Sequence, residues 1–348
     1  MKTAIGVGII SIGILGIGGW YMAQQQADIA SPTAGIEPGE ITTPAIMDDE
    51  PQVELGGGPT VDPVSLIAFA EQEFEGSDFQ VRQVLAENEV YTRYYITYKS
   101  GGLSISGIMN VPKGEGPFPL LLLNHGYIDP SVYTNGRGLK REQDYLARQG
   151  YVVIHSDYRG HAQSDSDPTT DRRFRLGYAE DVINAINAIQ AANLPYIDTD
   201  RIGMLGHSMG GGVAWRIAVT QPDLVDAYVQ FAPVSVDERD NFEKWTRRRA
   251  EVAAQIIATY GNPDENPTFW DNISPISFLR NVTVPIMIHH GTADDSVPLE
   301  WSQRASDVLE REGKDITLHV YPGEPHEFID AWPQVMQRTT TFFNEYVK

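Results

Sequence analysis

A chain of 348 residues with 41% hydrophobic and 10% aromatic side chains carries enough apolar material for a sizeable core, which excludes a disordered chain. Its 47 acidic and 26 basic residues leave a formal charge of −21, which repels phosphate backbones and argues against nucleic acid as a partner. The absence of cysteine excludes disulfides, thiolate chemistry, cysteine-ligated zinc and a lipoprotein-type N-terminus in one step.

Lys2 is followed by Ala4 to Met22, nineteen residues without a charge, with Trp20 and Tyr21 at the end where interfacial aromatics belong. Residues 1–23 therefore read as an N-terminal membrane anchor or a signal segment. A cleaved signal has a shorter apolar run and a small-x-small site, so the pattern leans towards an anchor. Either reading sends the rest of the chain across a membrane, to an extracytoplasmic location. Residues 24–60, rich in Pro, Gly, Thr and acid with no sustained periodicity, read as a flexible linker.

The run "VSLIAFA" predicts a short helix, and three strand-like runs follow: Phe79 to Leu85, Val90 to Tyr98 and Leu103 to Val111. The turn "KSGG" joins the second to the third as a hairpin. After Pro119 strands alternate with helices. "LLLLN" is continuously apolar, as a strand covered on both faces should be, and "KREQDYLARQG" reads as a helix. "YVVIHSD" precedes a helix with Tyr178, Val182, Ile186 and Ile189 on one face; strands "IGMLG", "DAYVQFAP", "PIMIHHG" and "DITLHVYP" follow with their helices. Residues 234–280 are irregular. The alternation predicts a doubly wound, mostly parallel sheet with antiparallel N-terminal edge strands, and chemistry at the carboxyl ends of the strands. No internal repeat of propeller or solenoid length accompanies it.

Gly206-His207-Ser208-Met209-Gly210 fits G-x-S-x-G and falls between a buried strand and a helix. There a sharp turn, open only to glycine on either side, forces the serine into a strained conformation with its hydroxyl exposed. The Met209 N–H, at the same helix N-terminus, can donate to an oxyanion. A serine hydroxyl needs a base, itself oriented by an acid, and in this architecture the acid and then the base follow at later strand ends. The chain supplies Asp294 and Asp295 after "PIMIHHG" and His326 after "DITLHVYP". Asp294, earlier in its loop, is the expected acid, and Asp295 a turn residue. The second oxyanion donor is expected from "HGYID", at the Tyr127 N–H, with His125 as a supporting hydrogen-bonding residue.

These motifs resemble the α/β-hydrolase superfamily and, within it, the catalytic domain of the prolyl oligopeptidase family of serine peptidases. "GHSMGG", "HGTADDSVP" and "YPGEPHEF" carry the resemblance, with "SDYRGHAQSD" and "NPTFWDNISP" as further matches, over about Pro117 to Lys348. It implies an α/β-hydrolase fold over residues 61–348 with 234–280 as a small cap-like insertion, Ser208 as nucleophile, Asp294 as acid and His326 as base. Two departures matter. Only about sixty residues lie between the linker and the matching region, too few for the β-propeller of larger family members, and His125 stands where several family peptidases place an oxyanion tyrosine.

The expected activity is that of a serine hydrolase on a small peptide, or alternatively a carboxylesterase on small or aromatic acyl esters, with no cofactor and no metal. An inactive hydrolase-like binding module remains the third reading, although no triad member is missing. Trp245 and Trp270 are weak candidates for the substrate pocket, with packing between cap and core as the competing role. Arg247, Arg248 and Arg249 read as a solvated helix face rather than a carboxylate clamp, and Asp165, Asp167 and Asp171 as an acidic surface loop. His289 and His290, with no carboxylate at ligand spacing, read as core packing.

Overall fold

The computed structural model describes residues 61–348; the apolar segment and the linker that precede them lie outside the described residues. No helix among the described residues is long and apolar enough to cross a membrane. A short helix α1 (Leu66–Glu71) leads into three long strands, β1 (Gly76–Glu87), β2 (Tyr91–Ser100) and β3 (Leu103–Pro112). The alternating part follows as β4 (Phe118–Asn124), α2 (Lys140–Arg148), β5 (Val152–Ser156), α3 (Leu176–Ala192), β6 (Ile197–His207) and α4 (Met209–Thr220). It ends with β7 (Ala227–Phe231), then β8 (Ile286–Gly291), α8 (Leu299–Arg311), β9 (Ile316–Tyr321) and α9 (Trp332–Tyr346).

The nine strands form one sheet in the order β1-β2-β3-β5-β4-β6-β7-β8-β9. Pairings up to β3 with β5 are antiparallel, and those from β5 to β9 are parallel. This is the doubly wound, mostly parallel sheet that the apolar runs imply. Alternation along β4 shows why. Leu120 and Leu122 enter the core on the face covered by α3, α4 and α8, while Leu121 and Leu123 enter the core under α2 and α9. With both faces covered, every position of that strand profits from being apolar, by about 2 kcal/mol for each buried leucine.

β5 lies on one side of β4 and β6 on the other. The chain therefore reverses its winding at β4, and a crevice opens beyond the carboxyl ends of β4 and β6, which is where open α/β sheets bind ligands. Residues 234–280 hold no strand. They form α5 (Glu238–Asn241), a π-helical turn (Phe242–Thr246), α6 (Ala250–Tyr260), α7 (Pro267–Asn272) and a 3-10 turn (Pro275–Asn281). Phe242, Ile256, Phe269 and Trp270 give this segment a small apolar core of its own, shared with Val64 and Phe174.

A buried carboxyl fixes the loop that leaves β4. Asp157, fully buried just past β5, accepts hydrogen bonds from Ser106 Oγ (2.6 Å), Tyr133 Oη (2.8 Å), Asn135 Nδ2 (2.7 Å) and the Gly136 amide (2.8 Å). Two residues on, Arg159 pairs with buried Asp181 at 2.7 Å and with Asp167 at 3.1 Å. The acidic loop is thus no merely solvated surface. Asp165 accepts from the Ser104 amide at 2.7 Å, Asp167 holds Arg159, and Asp171 holds Arg249. Asp157→Ala leaves four donors without their acceptor, each unmet buried partner costing about 1–3 kcal/mol. The substitution is expected to lower unfolding free energy by about 3 kcal/mol or more, read from the denaturant midpoint.

Candidate active site

β6 runs straight into Ser208, and α4 starts at the next residue. Ser208 sits at φ 56°, ψ −119°, a region costly for any residue with a side chain by about 1–3 kcal/mol. The surroundings over-determine it. The Ser208 amide donates to the Phe231 carbonyl at 2.9 Å, and the Ser208 carbonyl accepts from Gly211 (2.9 Å) and Val234 (3.1 Å). The flanking glycines are steric requirements: a Cβ on Gly206 would lie 2.6 Å from the Gly210 carbonyl oxygen, and one on Gly210 would lie 2.0 Å from the Asn124 carbonyl oxygen. The turn thereby presses against the end of β4.

Asp294, at the loop after β8, has a side chain only 1% exposed. Its Oδ1 accepts from the amides of Ser296 (2.9 Å) and Val297 (2.8 Å), and its Oδ2 lies 2.6 Å from Nδ1 of His326. Burial pushes the carboxyl up, but the hydrogen bonds from His290, His326 and the Val297 amide outweigh it and hold it well below the usual carboxylate range. Asp295 is exposed and meets only the Ser296 hydroxyl, at 3.3 Å. The imidazole thus faces Asp294, not Asp295.

A second histidine stands on the same carboxylate. Nε2 of His290, fully buried at the end of β8, lies 3.2 Å from Asp294 Oδ2 and 3.0 Å from the Val297 carbonyl, while Nδ1 meets Ser302 Oγ at 2.7 Å. His290 therefore does have a carboxylate partner, contrary to its reading as core packing alone. The i,i+4 spacing to Asp294 was visible; the tight turn that folds the loop back onto its own strand was not. His289 is buried against Tyr321, in keeping with packing.

Tyr127 and Met209 line one cavity with Ser208 and His326. Neither the Tyr127 amide nor the Met209 amide donates to a protein acceptor among the described residues. A Cβ on Gly126 would lie 3.1 Å from Ser208 Cβ, which measures how closely the loop after β4 passes the serine. His125 lies buried behind it, its Nδ1 2.7 Å from the Gly126 carbonyl and its ring 4.4 Å from that of Tyr158. Burial draws its pKa down to about 3, so it is a neutral support. Arg175 covers the Tyr127 ring at 5.1 Å and reaches Met209 Sδ at 3.5 Å, a contact that no motif announces.

The cavity encloses about 560 Å³. Trp245, Thr246, Arg249 and Val252 from residues 234–280 form its roof. Trp270 does not line it. That ring is fully buried among Phe174, Phe242 and Phe269, with Nε1 donating to the Gly261 carbonyl at 3.2 Å, so its role is the packing alternative. Arg249 stays exposed, as a solvated face requires, while pairing with the Asp171 carboxylate, and Arg216 pairs with buried Glu238 at 2.9 Å in the cavity wall. His207, His326 and Glu327 bring one ligand atom each within 4.8 Å of one another. Burial first, and then the neighbouring His326, draws the His207 pKa down to about 4.

The profile of the prolyl oligopeptidase family matches residues 137–348. The "Uncharacterized peptidase YuxL" of Bacillus subtilis is 27% identical over 239 residues, covering 65% of this chain and 34% of the relative, so the chain spans about a third of that protein's length. An acylaminoacyl peptidase of Pyrococcus horikoshii superposes with a TM-score of 0.60 at 24% identity, over 74% of this chain and 41% of that one. Acetyl xylan esterase 1 of Thermoanaerobacterium sp. JW/SL YS485 superposes with a TM-score of 0.63 at 19% identity, over 80% of this chain and 92% of that one. Both structural likenesses show the α/β-hydrolase fold.

The two tryptophans separate experimentally. Trp270→Ala empties a filled core and is expected to lower stability by about 3–5 kcal/mol. Trp245→Ala, at the cavity roof, is expected to leave the unfolding midpoint near wild type and to raise KM; calorimetry and steady-state kinetics on the same two variants check both.

Proposed function

From the membership of this chain in the prolyl oligopeptidase family, we propose that it is a serine peptidase that cleaves short peptides through an acyl-enzyme. That it is a serine hydrolase follows from the family, its peptidase relatives and the fold. One observation supports the acyl-enzyme route. A carboxylate–imidazole pair at 2.6 Å and a serine held at positive φ open onto the same cavity as two free backbone amides.

In this reading Ser208 Oγ attacks the scissile carbonyl carbon while His326 Nε2 takes its proton, and Asp294 steadies the imidazolium from Nδ1. The carbonyl π electrons move onto oxygen, where the Tyr127 and Met209 amides receive the charge. Collapse of the tetrahedral intermediate breaks the C–N bond, and His326 passes the proton to the leaving amine. Water, activated by the same imidazole, then hydrolyses the ester to Ser208. Ser208 and His326 form no hydrogen bond in this structure, in keeping with apo sites whose catalytic contacts tighten only with substrate bound.

A carboxylesterase is the second reading. It is favoured by the acetyl xylan esterase, whose length this chain covers to 92%, and by His125 at the place of an oxyanion tyrosine. We further propose that the hydrolase works outside the cytoplasm, tethered through Ala4 to Met22; the uncharged run supports this.

Turnover of aminoacyl-nitroanilides and of nitrophenyl esters, each blanked with Ser208→Ala, decides between the two activities. The peptidase reading expects amide cleavage that Ser208→Ala abolishes; ester turnover with no amide cleavage overturns it. Asp294→Asn is expected to lower kcat by roughly 10⁴-fold while Asp295→Asn leaves it near wild type. Because Asp294 is held below the usual carboxylate range, it stays ionised at working pH and keeps its hold on the imidazole there.

A further inference from the structure

We propose that His207, His326 and Glu327 form a zinc-binding site at the mouth of the cavity, through which Zn²⁺ switches the hydrolase off. Two imidazoles and one carboxylate are the donor set of open, four-coordinate zinc sites, in which the fourth position is left to water. Here the three ligand atoms already lie within 4.8 Å of one another. Bonds of the usual zinc length place tetrahedral ligands about 3.4 Å apart, so the three must draw together by an ångström or so.

Glu327 is the residue free to close that gap. Glu327 is exposed, and its carboxylate makes no ion pair or hydrogen bond among the described residues; only its backbone carbonyl is engaged, by Arg141 at 2.7 Å. The two rings are already neighbours, with centroids 4.6 Å apart and planes tilted 41° from each other. His207 is fixed beside the nucleophile by the turn, buried at 8% exposure, with its Nε2 only 3.3 Å from the His326 carbonyl oxygen.

The second support is the arrangement behind His326. Metal-binding histidines donate their other ring N–H to a carboxylate, which fixes the tautomer and raises the basicity of the ligating nitrogen. Asp294 does this to His326 Nδ1 at 2.6 Å. The unit that prepares a base for Ser208 therefore also prepares a zinc ligand, because both roles need a lone pair on Nε2. They exclude each other. An ion held on Nε2 occupies the electron pair that would take the serine proton, with no bond to substrate required.

The inference rests on the triad reading for the switch but not for the site, and the test separates the two. Co²⁺, as a spectroscopic substitute, is titrated into Ser208→Ala protein. A visible d–d band of four- or five-coordinate cobalt that saturates at one equivalent is expected, and it should be lost when His207→Gln is added. In the active enzyme the zinc concentration for half-inhibition should rise by about tenfold or more in Glu327→Gln and in His207→Gln, and a chelator should restore activity. Glu327 lies at the surface, so its substitution leaves the core intact should His207→Gln fail to fold. An octahedral cobalt spectrum, or half-inhibition within about twofold of wild type in Glu327→Gln, overturns the site. Saturable cobalt without zinc inhibition overturns the switch.

Discussion

The backbone turn at Ser208 constrains everything around it. A residue with a side chain at φ 56° is held there by the Phe231 carbonyl on one side and by the first turn of α4 on the other. The turn closes only because residues 206 and 210 lack side chains, and Gly210 lies so close to the Asn124 carbonyl that β4 and β6 must be neighbours at this level. The loop after β4 is then drawn over the serine. One strained residue thus sets the strand neighbourhood, the aim of the hydroxyl and the approach of the Tyr127 amide.

The rest of the site is an electrostatic arrangement made possible by burial. Asp294 leaves water almost completely, which alone would favour its neutral form, and four N–H donors around its two oxygens reverse that. His290 is one of the four and is itself anchored by Ser302, so the orientation of His326 is inherited from the end of β8 through the start of α8. The overall charge of −21 says little about this. Within the cavity wall Arg216 with Glu238 and Arg249 with Asp171 cancel locally, and these side-chain pairs join the roof to its surroundings alongside its apolar core.

Much of this was legible in the sequence because the signals were local or ordered. "LLLLN" had to be a strand covered on both faces, and a serine, an acid and a histidine, in that order after three of the later strands, defined a site before any distance was known. What escaped was long-range or depended on a tight turn. The contact of Arg175 with Tyr127 joins the residue just before α3 to the loop after β4, a proximity that no local pattern carries. Trp245 and Trp270 belong to one irregular segment with no period to orient them, and only packing puts the first at the cavity and the second beneath it. His290 was read as core because its carboxylate partner lies on the same loop, bent back by the amides of Ser296 and Val297.

The central claim is that Ser208 is an activated nucleophile. A fluorophosphonate probe reacts with such a serine and spares ordinary hydroxyls. Intact-mass and peptide analysis of the folded protein should show one adduct, on Ser208, that disappears on unfolding before labelling and in His326→Gln. Folded protein that takes up no adduct at Ser208 would contradict the account.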